Sequence, residues 1–139
     1  MIIRTLLKSD YRDYIELIDG FRPIGMHITK IEFEELYDTI FGNSIIYVAE
    51  IDNQIVASVK LLIEQKFIHK LAKYGRIEDV MVNKDYRERG IGKELIRHTV
   101  DFCKINRFYK ITLSCGDELV PWYEKNGFEV YQNHMSQLL

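Results

Sequence analysis

The chain has 139 residues, 47% of them hydrophobic, with 7 Phe and 9 Tyr; that is enough apolar material for one domain with its own core and too little length for two. A formal net charge of −2 excludes the basic surface on which duplex nucleic-acid binders depend. The two cysteines, Cys103 and Cys115, form no CxxC pair, and the four histidines, His27, His69, His98 and His134, have no metal spacing, so neither a zinc site nor a disulfide framework is expected. No stretch approaches the roughly 18 apolar residues of a membrane span. The opening MIIRTLLKSDYRDY turns polar too early for a signal peptide, which makes the cytoplasm the expected setting.

Ile2 to Leu6 reads as a short strand. Ser9 is placed to cap a helix over Tyr11–Ile18 that turns Tyr14, Leu17 and Ile18 inward. Asp19 to Gly25 is a loop of turn formers that also carries Phe21 and Arg22. Thr29 and Glu32 make a capping box, and the helix they open is expected to bury Ile31, Leu36 and Ile40, with Phe33 and Tyr37 alongside. Ser44–Glu50 and Gln54–Ile63 are strands joined at Asp52-Asn53. A loop from Glu64 to Gly75 leads to a strand over Arg76–Asn83. Ile91 to Asn106 is a helix with Ile91, Leu95, Thr99, Phe102 and Cys103 on one face. Tyr109–Cys115 is a strand, Leu119–Asn126 a short helix stopped at Asn126-Gly127, and Phe128–Val130 begins a last strand pair. This order predicts an α/β fold: a mixed, mostly antiparallel central sheet with flanking helices. The strands on either side of the Ile91–Asn106 helix should pair parallel through a crossover.

Arg87-Glu88-Arg89-Gly90-Ile91-Gly92-Lys93 runs straight into a helix. Two glycines two apart let a ligand approach the backbone closely. The first N–H groups of a helix have no partner within it and suit phosphate oxygens. Arg87, Arg89 and Lys93 add positive charge. The segment is neither a Walker loop nor a dinucleotide fingerprint, since no GK[ST] follows at the right spacing and Leu95 stands where a third glycine would be needed. An ordinary basic turn before a helix is the alternative reading.

That loop follows Val80-Met81-Val82-Asn83 by a few residues and is matched, some thirty residues on, by Trp122-Tyr123-Glu124-Lys125-Asn126-Gly127-Phe128. The pair of motifs resembles the GNAT superfamily of N-acetyltransferases. There the R/Q-x-x-G-x-G/A loop holds the pyrophosphate of coenzyme A, and the Y-E-K-x-G-F segment sits near the thiol. The resemblance implies acetyl-CoA as cosubstrate and no metal. It narrows further. Gly75 to Lys84 and Tyr109 to Leu113 are similar to glucosamine 6-phosphate N-acetyltransferases, and Lys66-Phe67-Ile68-His69-Lys70-Leu71 resembles their substrate loop. The similarity runs from about Val56 to Phe128. It implies that Glu78 and Asp79 lie in the sugar-amine pocket and that Val80, Met81 and Val82 carry the pantetheine arm. It also implies that the enzyme is a homodimer and that it feeds synthesis of UDP-N-acetylglucosamine.

The residues themselves give chemical reasons for these roles. Strand neighbours point to opposite faces, so one of Glu78 and Asp79 must face inward unless a bulge intervenes, and a carboxylate there needs a partner such as an amine. A strand with both acids solvated or paired to Arg76 is the alternative. Either acid, directly or through water, is a candidate base for the amine, and the backbone N–H near Val80–Met81 for the oxyanion. Tyr123 is the candidate general acid for the departing thiolate, with a core tyrosine as the alternative. Cys115 lies at the end of the preceding strand, but no His adjoins it in sequence to activate it, so direct transfer is expected over an acetyl-cysteine. His134 reads as a solvated or structural histidine.

Three positions depart from the resembled pattern. Ser114 stands where that family has an Asp near the substrate amine, Leu119 where an Asn is often found, and Leu138 where an Arg crosses the dimer to hold phosphate. Arg22, in the Phe21–Gly25 loop, is the candidate to supply that charge, with Lys66 and His69 as the alternatives. The tail from Val130 to Leu139 would expose Met135, Leu138 and Leu139 in a monomer, which fits the expected dimer. Another amine acceptor, or a non-catalytic acetyl-CoA-binding module, are the competing readings.

Overall fold

The computed structural model describes the whole chain, Met1–Leu139. Strand β1 spans Ile2–Thr5, helix α1 Tyr11–Phe21, α2 Lys30–Ile40, β2 Ser44–Ile51, β3 Gln54–Gln65, β4 Lys73–Val82, α3 Ile91–Ile105, β5 Lys110–Leu113 and α4 Val120–Glu124. The sheet order is β1-β2-β3-β4-β5. Neighbours from β1 to β4 are antiparallel, and β4 with β5 is parallel across α3. The mixed, mostly antiparallel sheet expected from the sequence is present, with Asp52 and Asn53 in the left-handed conformation of the β2–β3 turn.

The sheet buries a different cluster on each face. Tyr47, Ala49, Ala57, Val59 and Ile77 pack under Ile91, Leu95 and Ile96 of α3. Ile46, Val48, Ile55 and Met81 pack under Tyr14 and Leu17 of α1 and Phe33 of α2. Alternation along β2 sends 46 and 48 one way and 47 and 49 the other, as a strand with both faces covered requires. Each fully buried aliphatic side chain in these layers contributes about 1.5–3 kcal/mol.

Several expectations change on contact with the structure. Ser9 does not cap α1: the N-cap is Asp10, at the end of a 3-10 turn over Lys8–Asp10, and no side-chain cap bond forms. The Asp10 carboxylate instead accepts from Leu7 N–H and from Arg4, whose guanidinium also reaches Glu50. The capping box at Thr29 and Glu32 is present, but the stripe on α2 is rotated. Phe33 is buried, while Ile31 and Leu36 are 70% and 53% exposed. An aromatic chain decides the rotation: Phe33 lies 5.4 Å from Tyr11 and 6.4 Å from Tyr37, and Tyr37 stacks on Phe41 at 4.2 Å. Strand β4 begins at Lys73 rather than Arg76, because β3 continues to Gln65 and only a short turn at Ile68–Leu71 separates them. No strand pair follows Gly127. Residues 128–139 carry no ladder, and β5 remains a sheet edge.

Candidate active site

The loop before α3 is a cradle of unpaired amides. No backbone N–H from Glu88 to Lys93 finds an acceptor within the chain; the first bond of the helix runs from Glu94 N–H to the Gly90 carbonyl, 3.1 Å. Glu88 and Gly90 both have positive φ, 62° and 77°, and this curls the segment so that successive N–H groups line a concavity. Arg87 Nε donates to the Val82 carbonyl (3.2 Å), and Arg89 donates to the Asp85 carbonyl (3.0 Å) while lying over the Tyr86 ring. These contacts fix the loop to the end of β4. Ile91 is the apolar anchor of the cradle, 3% exposed and packed with Leu95 and Ile96. Gly92 has Val82 and Trp122 at ordinary contact distance from where a Cβ would stand, so its own chain does not demand a glycine. Lys93 is exposed one residue further along. A run of free N–H groups at a helix start with cations beside it suits a pyrophosphate.

Next to the cradle the sheet splits. The β4–β5 ladder ends at Ile77 and Leu113, so Glu78 to Val82 have β3 on one side and no strand on the other. The register with β3 also slips here, Lys60 facing Glu78 and Ser58 facing Met81, which places one extra residue in β4. Asp79 adopts φ 50° at the slip. The effect on parity is direct. Residues 77 and 81 should share a face, yet Ile77 lies in the α3 cluster and Met81 in the α1–α2 cluster. The bulge also answers the question of the two acids, since neither is buried in the sheet. Glu78 pairs with Arg76 Nε at 2.8 Å and Asp79 with Lys60 Nζ at 2.7 Å, with side chains 41% and 56% exposed.

A cleft of about 490 Å³ fills the split. Ile77 to Met81 form one wall and Leu113, Ser114 and Cys115 the other; Tyr14, Ile18 and the Phe21–Ile24 loop close it from α1, and Leu119 and Tyr123 from the α4 side. The Phe21–Ile24 loop is held by Asp19, whose carboxylate accepts from Ile24 N–H at 2.8 Å. Arg22, at its centre, donates its backbone N–H to the Ile18 carbonyl at 2.8 Å, while its side chain makes no ion pair or hydrogen bond with the chain and lines the cleft as a free cation. Tyr123 is 8% exposed and lies between Trp122 and Phe128, with centroids at 4.8 Å and 5.9 Å. Burial, and secondarily Cys115, raise its pKa, so the phenol keeps its proton at neutral pH and can give it to a stronger base. Burial followed by Glu118 and Asp117 raise the Cys115 thiol as well, which makes it a poor nucleophile. Burial pushes Tyr14 up to about 12; Asp79 adds in the same direction and the Ser58 hydroxyl offsets part of it.

The structure thus brings together Arg22, Glu78, Asp79, Val80, Met81, Ser114 and Tyr123 around one cleft, with Val82 and the Arg87–Lys93 cradle at its end. It does not bring Lys66, Phe67, Ile68 or His69 to that cleft. They occupy the β3–β4 turn at the opposite end of β4. There His69, Lys70 and Leu71 all have φ near +55°, His69 stacks on Tyr109 at 4.0 Å, and Phe67 is 95% exposed. Two residues were not legible as site residues. Tyr14 read only as a core position on α1. His134 comes from the tail, and its Nδ1 stands 3.2 Å from Ser114 Oγ; nothing in the spacing of 114 and 134 announces that meeting.

A split mixed sheet with an anion cradle at one end and a protonated phenol beside the gap defines an acyl-transfer enzyme. The chain belongs to the GNAT acetyltransferase family: the model of the acetyltransferase (GNAT) domain matches residues 42–130. Among curated relatives, the glucosamine 6-phosphate N-acetyltransferase of Arabidopsis thaliana is 33% identical over 97% of this chain and 94% of its own. That of Trypanosoma brucei brucei is 32% identical over 96% and 92%. A probable glucosamine 6-phosphate N-acetyltransferase of Drosophila melanogaster is 31% identical over 92% of this chain, which spans 60% of that relative's length. The crystal structure of the Arabidopsis thaliana enzyme superposes with a TM-score of 0.91 at 33% identity, covering 99% of this chain and 97% of that one.

Proposed function

We propose that this enzyme transfers the acetyl group of acetyl-CoA directly to the amine of glucosamine 6-phosphate, giving N-acetylglucosamine 6-phosphate for UDP-N-acetylglucosamine synthesis. The observation that carries the reading is the run of free amides at Glu88–Lys93, with Gly92 beside Val82 and Trp122, the chain neighbours of Met81 and Tyr123 on the cleft wall. The pyrophosphate lies on the cradle, with Arg87, Arg89 and Lys93 neutralising its charge. The pantetheine arm runs along Val80–Val82, whose backbone lacks a strand partner on the β5 side, and N–H groups there receive the developing oxyanion. Glu78 and Asp79 draw the substrate ammonium to the bulge. Tyr123 gives its proton to the departing thiolate. Holding thioester and amine side by side supplies much of the acceleration, because the reaction then proceeds as if intramolecular. The raised thiol of Cys115 supports transfer without an acetyl-enzyme.

The names of the curated relatives support the acceptor, and so does Arg22, an unpaired cation at the cleft where a phosphate would otherwise be unmatched. In this reading the enzyme works as a cytoplasmic homodimer. Tail residues Val130, Met135 and Leu138, exposed at 74%, 90% and 98%, then find cover, and Lys66, Phe67, Ile68 and His69 meet the sugar only from a second copy. Steady-state assays with glucosamine and its 6-phosphate test the acceptor. The phosphate should be far the better substrate, and Arg22→Ala should raise its KM about 10- to 100-fold, the loss of a hydrogen bond to a charged group, with the KM for acetyl-CoA unchanged. Equal turnover of sugar and sugar phosphate would reject the phosphate site. The apolar residues Leu119 and Leu138 favour that second outcome, an amine without a phosphate.

A further inference from the structure

We propose that Ser114 and His134 form a proton relay that takes the proton from the acceptor amine; the proposal rests on the reading of the cleft as an amine-acetylating site. The amine must be neutral to attack the thioester, so some group at the cleft has to receive a proton. Glu78 and Asp79 are each engaged by a cation, at 2.8 Å and 2.7 Å, so neither offers the amine a carboxylate free of a partner. Tyr123 and Cys115 hold their protons, since burial raises both. Arg22 has no proton to gain. Ser114 is the cleft-lining group that leads to a base: its Oγ is 3.2 Å from His134 Nδ1.

His134 makes no other polar contact in the chain, and it is exposed, so a proton delivered to it can leave to water. The relay requires the tautomer with Nδ1 free to accept and Nε2 protonated. The substrate ammonium first loses one proton through Ser114 to His134, which passes it to water; then, as the neutral amine nitrogen bonds to the thioester carbonyl carbon, the carbonyl π pair moves onto oxygen. The nitrogen's proton passes to Ser114 Oγ while the serine's own hydroxyl proton passes to His134 Nδ1. When the oxyanion collapses, the C–S bond breaks and the thiolate takes the proton of Tyr123. His134 then returns one proton to water and Tyr123 takes one back, which restores both groups. Histidine suits the task because imidazole gains and loses a proton close to neutral pH.

The test uses the intact enzyme with acetyl-CoA, glucosamine 6-phosphate and a panel of other amines. His134→Ala and Ser114→Ala should each lower kcat on the order of 10²-fold, the usual worth of a positioned base, with the KM for acetyl-CoA unchanged. The double variant should be no slower than the slower single one. Imidazole added to the buffer should restore rate to His134→Ala and not to Ser114→Ala. His134→Gln, which keeps a hydrogen bond to Ser114 but carries no proton, should be as slow as the alanine variant. Wild-type kcat in folded His134→Ala, or full activity in His134→Gln, overturns the relay and leaves His134 as a pin for the tail. If another amine of the panel is acetylated in place of glucosamine 6-phosphate, the acceptor assignment falls, while the relay stands or falls on the same ratios with that amine.

Discussion

At its Lys73 end, β4 has a strand on each side; at its Val82 end it has a strand on one side only. From Tyr74 to Ile77 the backbone is paired with both β3 and β5, and Gly75 is pressed against Leu61, Phe108 and Cys103. From Glu78 onward the β5 side is empty, the strand bulges at Asp79, and the amide cradle lies beside its end. Buried backbone groups must find partners. Where the sheet supplies a neighbour the strand is structural, and where the neighbour is missing its polar groups are available to a ligand. Both ends contain left-handed, non-glycine backbone. In the β3–β4 turn, His69, Lys70 and Leu71 each carry a cost of about 1–2 kcal/mol, offset by the His69–Tyr109 stack and by Gln65 donating to the Ala72 carbonyl. At Asp79 the same conformation opens a cleft.

The sharpest break in this comparison is Gly92→Val. A Cβ there meets only ordinary contacts with Val82 (3.5 Å) and Trp122 (3.6 Å), so the fold should stand. Its methyl groups, however, would cover the amides meant for phosphate. Losing two contacts worth about 1.5–3 kcal/mol each weakens coenzyme A binding by more than about 100-fold. Calorimetry beside a thermal melt measures both quantities, and unchanged affinity in a folded variant would empty the cradle of its role. Next in size is Tyr123→Phe. It should lower kcat on the order of 10²-fold with little change in the KM for acetyl-CoA. Because burial raises the phenol's pKa, its proton is retained as pH rises through the range where an ordinary tyrosine ionises. The alkaline fall in wild-type kcat should therefore begin above about pH 10, and the phenylalanine variant should lack it. An unchanged rate at neutral pH would make Tyr123 packing alone.

The smallest effect belongs to the paired end. In Gly75→Ala the added methyl would sit 3.0 Å from Leu61 Cδ1 and 3.3 Å from Phe108 Cδ1. Overpacking of this kind costs about 1–3 kcal/mol and lowers Tm by several degrees, while coenzyme A affinity per folded molecule stays as it was. Weaker binding at unaltered Tm would show that the two ends are not separate.

Much of this plan was legible from residues alone. The glycines and cations of Arg87–Lys93 mark the cradle, the apolar stripe of α3 marks the crossover, and the crossover implies the one parallel pair. The bulge was legible only as a condition attached to Glu78 and Asp79, because adjacent acids are compatible with either parity and the slip depends on what β3 presents opposite. The face of α2 was misread since periodicity weighs Ile31 and Leu36 like Phe33 and Tyr37. In the folded chain the rings win, by packing on Tyr11 and Tyr14. The strand expected after Gly127 fails for a different reason: Phe128 packs on Tyr123, and beyond it no ladder forms. His134 could not be placed from sequence, since its meeting with Ser114 depends on the path of a tail that no periodic pattern governs.

The extra residue at Asp79 also sets the terms on which this chain can change length. A substitution in β4 alters one side chain, but a deletion between Glu78 and Val80 would remove the extra residue and straighten the strand. Met81 would still face Ser58, yet the left-handed turn at Asp79 and the opening it makes in the cleft wall would be lost. A deletion in the regular stretch from Tyr74 to Ile77 would instead turn the residues on one side of it to the wrong face. The tail after Phe128 lies outside every ladder, so its length is limited only by the reach of His134 to Ser114, and beyond His134 by no register at all. Descendants of this sequence can therefore vary in length most easily beyond His134, while the count of residues from Ile77 to Gly92 stays fixed.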